Sequence, residues 1–229
     1  FKDYQDLKPK REIIERHYVP RIKEMNRILK PTGSIYLQMD TRINHWMRCI
    51  MDDIFGYERF VNEIIWYYKT GGATTKYFNR KHDVILFYTK SNQYLYNNIK
   101  EISIVDKTKG YNPYTERFTD KFGNDFVLTN ARDVWDIQHI NMHDKKNRNG
   151  YNSQKPKKLI EKIIKASSNE GDLVADFYAG SFTTAEVCKD LKRNFIGCDI
   201  NPKAVEIGRK RILNNFEKIE VGGQINLWD

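Results

Sequence analysis

One stretch constrains this chain more than any other: DLVADFYAGSFTTAEVCKDLKRNFIGCDINP, from Asp172 to Pro202. LVADF is a short apolar run of strand length. AGSFTT carries the chain into a helical pattern, and NFIGCD is a second apolar run. A strand that reaches its neighbour through a helix is a βαβ unit, which predicts an α/β fold with a mainly parallel sheet and helices on both faces. Gly180 permits a sharp turn and a close approach of backbone to ligand. Ser181, Thr183 and Thr184 offer hydroxyls and N–H groups at a helix N-terminus. Asp199 ends the second run nineteen residues after Gly180, where an acid accepts hydrogen bonds from ribose hydroxyls. The dinucleotide fingerprint needs three glycines, and this loop has one, so a pyrophosphate is disfavoured. An adenosine cofactor without pyrophosphate fits better, and an ordinary βαβ turn is the alternative.

The rest of the chain repeats the α/β theme. Ile14, Tyr18, Ile22, Met25 and Leu29 recur at helical spacing over 11–29, with Pro20 expected to kink or divide the helix. SIYLQMD (34–40) reads as a buried strand, with Asp40 and Thr41 just past its end. A helix is predicted over 43–55, and strands over NEIIWYY (62–68) and DVILFYT (83–89). Between these strands lies the basic loop TGGATTKYFNRKH. Residues 91–149 lose the periodicity and read as an inserted recognition segment, with a turn at KFGND. KPKKLIEKIIKAS (155–167) is helical again, with Pro156 at its first turn.

Composition narrows the partners. The net charge is +9, from 39 basic and 30 acidic residues, which suits either a polyanion such as nucleic acid or a solubilising lysine-rich surface. No run of about 18 apolar residues exists, so no membrane span is expected. Phe1 opens a charged stretch unlike a signal peptide. Cys49, Cys188 and Cys198 lack metal-ligand spacing, so no metal is expected. They read as three small core residues in a reducing cytoplasm.

DFYAGSFTTA resembles the S-adenosylmethionine loop, D-x-F-x-G-S-G-T-T, of DNA amino-methyltransferases. GYNSQKPKKLIEKII resembles their G-Y-P-T-Q-K-P segment, and LKPTGSIYLQMD and NEIIWYY…RKHDVILFYTKS resemble the strands after their catalytic motif. The order resembles the permuted beta class and covers nearly the whole chain except about 91–130. The resemblance implies a Rossmann-like methyltransferase sheet with an inserted target-recognition segment. It divides the chain into a catalytic half (1–90), target recognition (91–149) and a cofactor half (150–229). It further implies S-adenosylmethionine as cofactor, bound by Asp176, Tyr178, Ala179, Gly180, Ser181, Phe182, Thr183 and Thr184, with Asp199 on the ribose. Gln154, Lys155 and Pro156 would close the pocket. The implied reaction moves a methyl group to the exocyclic amino group of a flipped adenine in double-stranded DNA. A homodimer and a cognate restriction endonuclease are the partners the analogy suggests.

The chain departs from the family pattern in three ways. Phe182 replaces the second loop glycine, where a ring could pack on the cofactor. Asn152 and Ser153 replace Pro and Thr. The catalytic Asp- or Ser-Pro-Pro-Tyr is absent from the chain and is expected upstream of Phe1; Asp40 would then line the pocket or cap a helix. For DNA contact, the residues singled out are Lys76, Tyr77, Arg80 and Lys81 in one loop, and Lys145, Lys146 and Arg148 in another, each otherwise a solvated surface group. Three alternatives stay open: a cytosine amino-methyltransferase, an enzyme acting on RNA or a small molecule, and a non-catalytic homologue that binds DNA or cofactor.

Overall fold

In the computed structural model, which describes residues 7–70, 73–105, 116–140 and 154–213, helix α1 (Arg11–Ile28) leads into β1 (Ser34–Met39) and α2 (Asn44–Phe55). Strands β2 (Phe60–Tyr67), β3 (His82–Thr89), β4 (Lys100–Ile104), β5 (Phe118–Thr119), β6 (Asp125–Asn130) and β7 (Val134–Asp136) follow. The chain then continues through α3 (Lys157–Ser167), β8 (Leu173–Asp176), α4 (Thr183–Asp190), β9 (Asn194–Gly197) and α5 (Pro202–Leu213). The strands form three sheets, ordered β1-β3-β2-β7, β4-β6-β5 and β8-β9.

β3 is the spine of the largest sheet. Its last six residues are all buried, as its apolar run requires when both faces are covered. Alternation sends Val84, Leu86 and Tyr88 into a core with Ile14 and Ile22 of α1 and Met47, Ile50 and Met51 of α2. Ile85 and Phe87 point the other way, into a core with Ile64, Trp66, Trp135 and Leu159 of α3. Helix α3 has two apolar stripes at four-residue spacing. Leu159 and Ile163 join that sheet core, while Ile160 and Ile164 join the core of α4, β9 and α5 around Phe182, Ala185 and Phe195. One helix thereby ties the large sheet to the β8–β9 unit, and Tyr36 Oη and Ser167 Oγ, 2.7 Å apart, hydrogen-bond across the same junction. Asn97 satisfies the orphan carbonyls at the end of α3, donating from Nδ2 to Lys165 O (2.9 Å) and Ser168 O (3.0 Å).

The α/β class and the helices on both faces agree with the sequence reading. Strand direction is more mixed than the mainly parallel expectation. β8–β9 and β2–β7 are parallel, but β3 runs antiparallel to both β1 and β2, because the loop after β2 returns directly alongside it. The segment read as irregular holds an antiparallel sheet, β4-β6-β5, whose turn includes KFGND. Its β7 belongs to the large sheet. Helix α1 is assigned continuously through Pro20, which therefore does not divide it. Of the cysteines only Cys188 is buried; Cys49 and Cys198 are exposed, which corrects the reading of three core residues. Among the described residues, no helix is long and apolar enough to cross a membrane.

Candidate active site

The carboxyl ends of β1, β2, β7, β8 and β9 carry the groups of chemical interest, as open α/β sheets require. Asp176 ends β8 and anchors the glycine loop. It accepts hydrogen bonds from Thr184 Oγ1 (2.6 Å) and the Tyr178 N–H (3.1 Å). Burial pushes its carboxyl pKa up; those two donors and the nearby Lys155 charge pull against it. Asp199 grips the loop from the other strand, accepting the Gly180 N–H at 2.8 Å and the Asn201 N–H at 2.8 Å. Each Asp199 oxygen keeps acceptor capacity beyond these bonds, so the acid that shapes the loop can still receive a ligand hydroxyl. Gly180 has φ +50°, a left-handed conformation that glycine adopts without cost.

Ser181, Phe182, Thr183 and Ala179 are buried. Ser181 Oγ and Thr183 Oγ1 lie 3.3 Å apart, and Thr183 Oγ1 donates to Lys155 O at 3.4 Å. These side chains brace the loop, and its ligand surface is left to the backbone and to Tyr178, which is 44% exposed. Phe182 explains its own departure from the glycine pattern. It keeps a left-handed backbone, φ +56°, yet turns its ring into the core against Phe195, centroids 6.2 Å apart. The expected packing of that ring on a cofactor gives way to burial. Gln154 and Pro156 are buried at the start of α3, and Lys155 between them is the shared neighbour of Asp83 and Asp176.

Two contributors escaped sequence reasoning because they come from distant elements. The first is Arg211 of α5, which pairs with Glu186 and donates from Nη1 to Ser181 O (3.0 Å) and Thr183 Oγ1 (3.0 Å). Replacing it by methionine is expected to cost about 2 kcal/mol in urea unfolding. That is less than the usual loss for one partner of a buried pair, because Lys157 also pairs with Glu186. A loss under about 0.5 kcal/mol would show that the loop stands without it. The second is α1, whose His17 Nε2 lies 3.1 Å from Tyr178 Oη. Burial and then Arg21 lower the His17 pKa, and burial raises that of Tyr178 to about 12, so both are neutral near pH 7.

A second polar cluster lies at the same end of the large sheet. Asp83, on β3, accepts from Gln38 Nε2 (2.6 Å) and Tyr68 Oη (3.1 Å). The His139 ring packs against Tyr68 and Trp66, with centroids at 4.1 and 4.7 Å. Burial raises the pKa of Asp83, raises that of Tyr68 to about 12, and lowers that of His139. Gln38, Tyr68 and Asp83 lie within the strand segments quoted above, but nothing in those segments singled them out, and His139 lies outside them. Asp40 is beside them. Burial pushes its carboxyl up, but hydrogen bonds from Arg42 and the charges of Arg42 and Arg80 outweigh that and hold it low. Its Oδ1 accepts the Arg42 N–H at 2.8 Å, and α2 is capped by Ile43, so Asp40 is not the helix cap. Lys76, Tyr77 and Arg80 are exposed on the loop between β2 and β3, with Lys81 partly buried at its base. Lys145, Lys146 and Arg148 lie outside the described residues.

Comparison with known proteins adds the family. The model of the N6/N4 family, described as DNA methylase, matches residues 1–210. Type II methyltransferase M.HpaI of Haemophilus parainfluenzae is 34% identical over 202 residues, covering 87% of this chain and 60% of that protein. DNA adenine methyltransferase YhdJ of Escherichia coli (strain K12) is 30% identical over 195 residues, covering 83% of this chain and 64% of the relative. The chain thus spans about three-fifths of the length of these relatives. Among solved structures, the PvuII DNA methyltransferase (cytosine-N4-specific) aligns with TM-score 0.64 at 16% identity, over 91% of this chain and 73% of that one. The complex of M1.HpyAVI with SAM aligns with TM-score 0.58 at 18% identity, over 85% and 81%. These structural likenesses establish the fold, and the match over residues 1–210 places this chain in the N6/N4 DNA methylase family.

Proposed function

We propose that the protein transfers a methyl group from S-adenosylmethionine to the exocyclic amino group of adenine in double-stranded DNA. One observation carries this reading: Lys155, whose carbonyl accepts from Thr183 Oγ1 of the glycine loop at 3.4 Å, carries a charge felt by both Asp176, at that loop, and Asp83, at the polar cluster. The glycine loop and the second polar cluster are therefore within electrostatic reach of one lysine, which supports reading them as parts of one site. The loop's chemistry fits the cofactor. From Asp176 to Thr184 its side chains carry no cation to receive a pyrophosphate. Instead, Asp176 and Asp199 suit a cationic amino acid portion and ribose hydroxyls, and Gly180 lets the backbone approach.

S-adenosylmethionine bound there would supply an electrophilic methyl group. The loop N–H groups and Tyr178 would fix its direction, and Asp199 would hold the ribose. The displaced base would be received by Gln38, Asp83, Tyr68 and His139, which provide hydrogen-bonding edges and a ring face, with Asp40 at the border. Within this reading, residues 1–90 form the catalytic half, 91–149 the target-recognition segment and 150–229 the cofactor half. The relatives named type II methyltransferases make a cognate endonuclease the partner to seek, and self-association is checked by sedimentation.

The test is methyl transfer to mixed-sequence duplex DNA, with the products resolved as nucleosides by mass spectrometry. N6-methyladenine is the expected product. N4-methylcytosine would keep the mechanism and overturn the base. Preferential methylation of RNA over duplex DNA would overturn the substrate. Cofactor or DNA binding without transfer, in a protein that includes the segment upstream of Phe1, would make it a binding homologue.

A further inference from the structure

Phe78 is 99% exposed at the tip of the loop that joins β2 to β3. A phenylalanine ring fully in water forgoes all of its burial energy, so its surroundings decide what it is for. This loop begins at Tyr68 and ends just before Asp83, both members of the polar cluster. Its base is closed by the Tyr68 N–H donating to Lys81 O at 2.9 Å and by Lys81 Nζ donating to Thr70 O at 3.3 Å. Its tip is shaped by the Thr74 N–H donating to Asn79 Oδ1 at 2.8 Å and the Lys76 N–H donating to Thr74 Oγ1 at 3.1 Å. The ring is therefore held outward by a built loop. Between Glu63 and Asp83 the chain holds four cations, Lys69, Lys76, Arg80 and Lys81, and no acid. Arg80 lies 5.3 Å from the Tyr77 ring centre, and Tyr77 is 60% exposed, so Phe78 is the freer of the loop's two rings. Phe122, also exposed, sits instead on the turn of the separate small sheet.

A cationic loop with an apolar tip, rooted at a base-receiving cluster, matches the physics of a duplex wedge. Cations grip phosphates while a ring enters the stack and offsets lost base stacking. We propose that Phe78 inserts into the DNA stack as the target base leaves, holding the duplex open at the site. This rests on the DNA methylation reading above.

The experiment compares wild-type protein, F78A and F78L on a duplex carrying the site mapped by the methylation assay, and on the same duplex with a mismatched target pair. Phe78 touches little of its own protein, so neither variant is expected to change Tm. On the matched duplex F78A should lose about tenfold in kcat/KM, and F78L should retain most activity because an aliphatic wedge still fills the gap. On the mismatched duplex, where opening costs less, the F78A loss should shrink to under about threefold. 2-Aminopurine at the target position should brighten with wild-type protein and less with F78A. Equal losses on both duplexes, or no loss, would overturn the wedge while leaving methylation intact. A wild-type protein that methylates no duplex would overturn the functional reading and the wedge with it.

Discussion

Replacing Phe182 by glycine, the residue at that place in the loop pattern this segment resembles, is expected to destabilise this protein by about 3 kcal/mol. Two effects oppose each other. The backbone is left-handed at φ +56°, a conformation that costs a non-glycine residue about 1–2 kcal/mol, so glycine relieves strain. The ring, however, is only 1% exposed, in a core with Val187, Phe195 and Ile212, and removing a buried phenylalanine costs about 3–5 kcal/mol. The loss of packing wins. Gly208 of α5 is the counterpart that makes room: a Cβ there would stand 2.4 Å from the Phe182 ring. G208A alone should therefore destabilise despite the better helix propensity of alanine. Combined with F182G it should recover part of the loss, because the added methyl enters vacated space. Urea unfolding of the four proteins in this cycle measures the coupling. Strictly additive losses would show that the two positions do not share the space.

That pair also shows where sequence reading ends. The βαβ unit, its glycine turn and Asp199 were legible because their constraints are local: two apolar runs, a helix start and an acid at fixed spacing. The burial of Phe182 was not, because it depends on Gly208, twenty-six residues later on another helix. Arg211 was silent for the same reason: an arginine in the last turn of an amphipathic helix reads as a solvated end until α5 is placed beside α4. The strands of the large sheet were legible as apolar runs, but their order and direction were not. β3 sits between β1 and β2, and nothing in HDVILFYT says which neighbour lies on which side. Its buried face-to-face alternation fits either. The polar cluster was hidden more deeply. Gln38, Tyr68, Asp83 and His139 come from four separate segments, and only the closing of the sheet brings them together.

Lys155 sits where these long-range effects meet, and K155M is expected to destabilise the protein in a pH-dependent way. Burial lowers its own pKa, while Asp83 and Asp176 pull it back up. Burial also raises both carboxyls above their usual range, with Lys155 drawing them down. A carboxyl with a raised folded pKa contributes its full stability below the unfolded value and loses it as pH rises through the folded value. Removing Lys155 raises both carboxyls further, so each must be ionised without its cation at alkaline pH, whereas at acidic pH the protonated acids need none. K155M should therefore cost about 3 kcal/mol at pH 8, the scale for stripping one partner from a buried charge group, and about 1 kcal/mol at pH 5. Urea unfolding at the two pH values measures the difference, and K155M/D83N should lose less than K155M at pH 8 because one stranded carboxylate is gone. Methionine preserves most of the side chain's length without its charge. Equal losses at both pH values would therefore mean that Lys155 acts through its position at the start of α3, and that its charge does not join the polar cluster to the glycine loop.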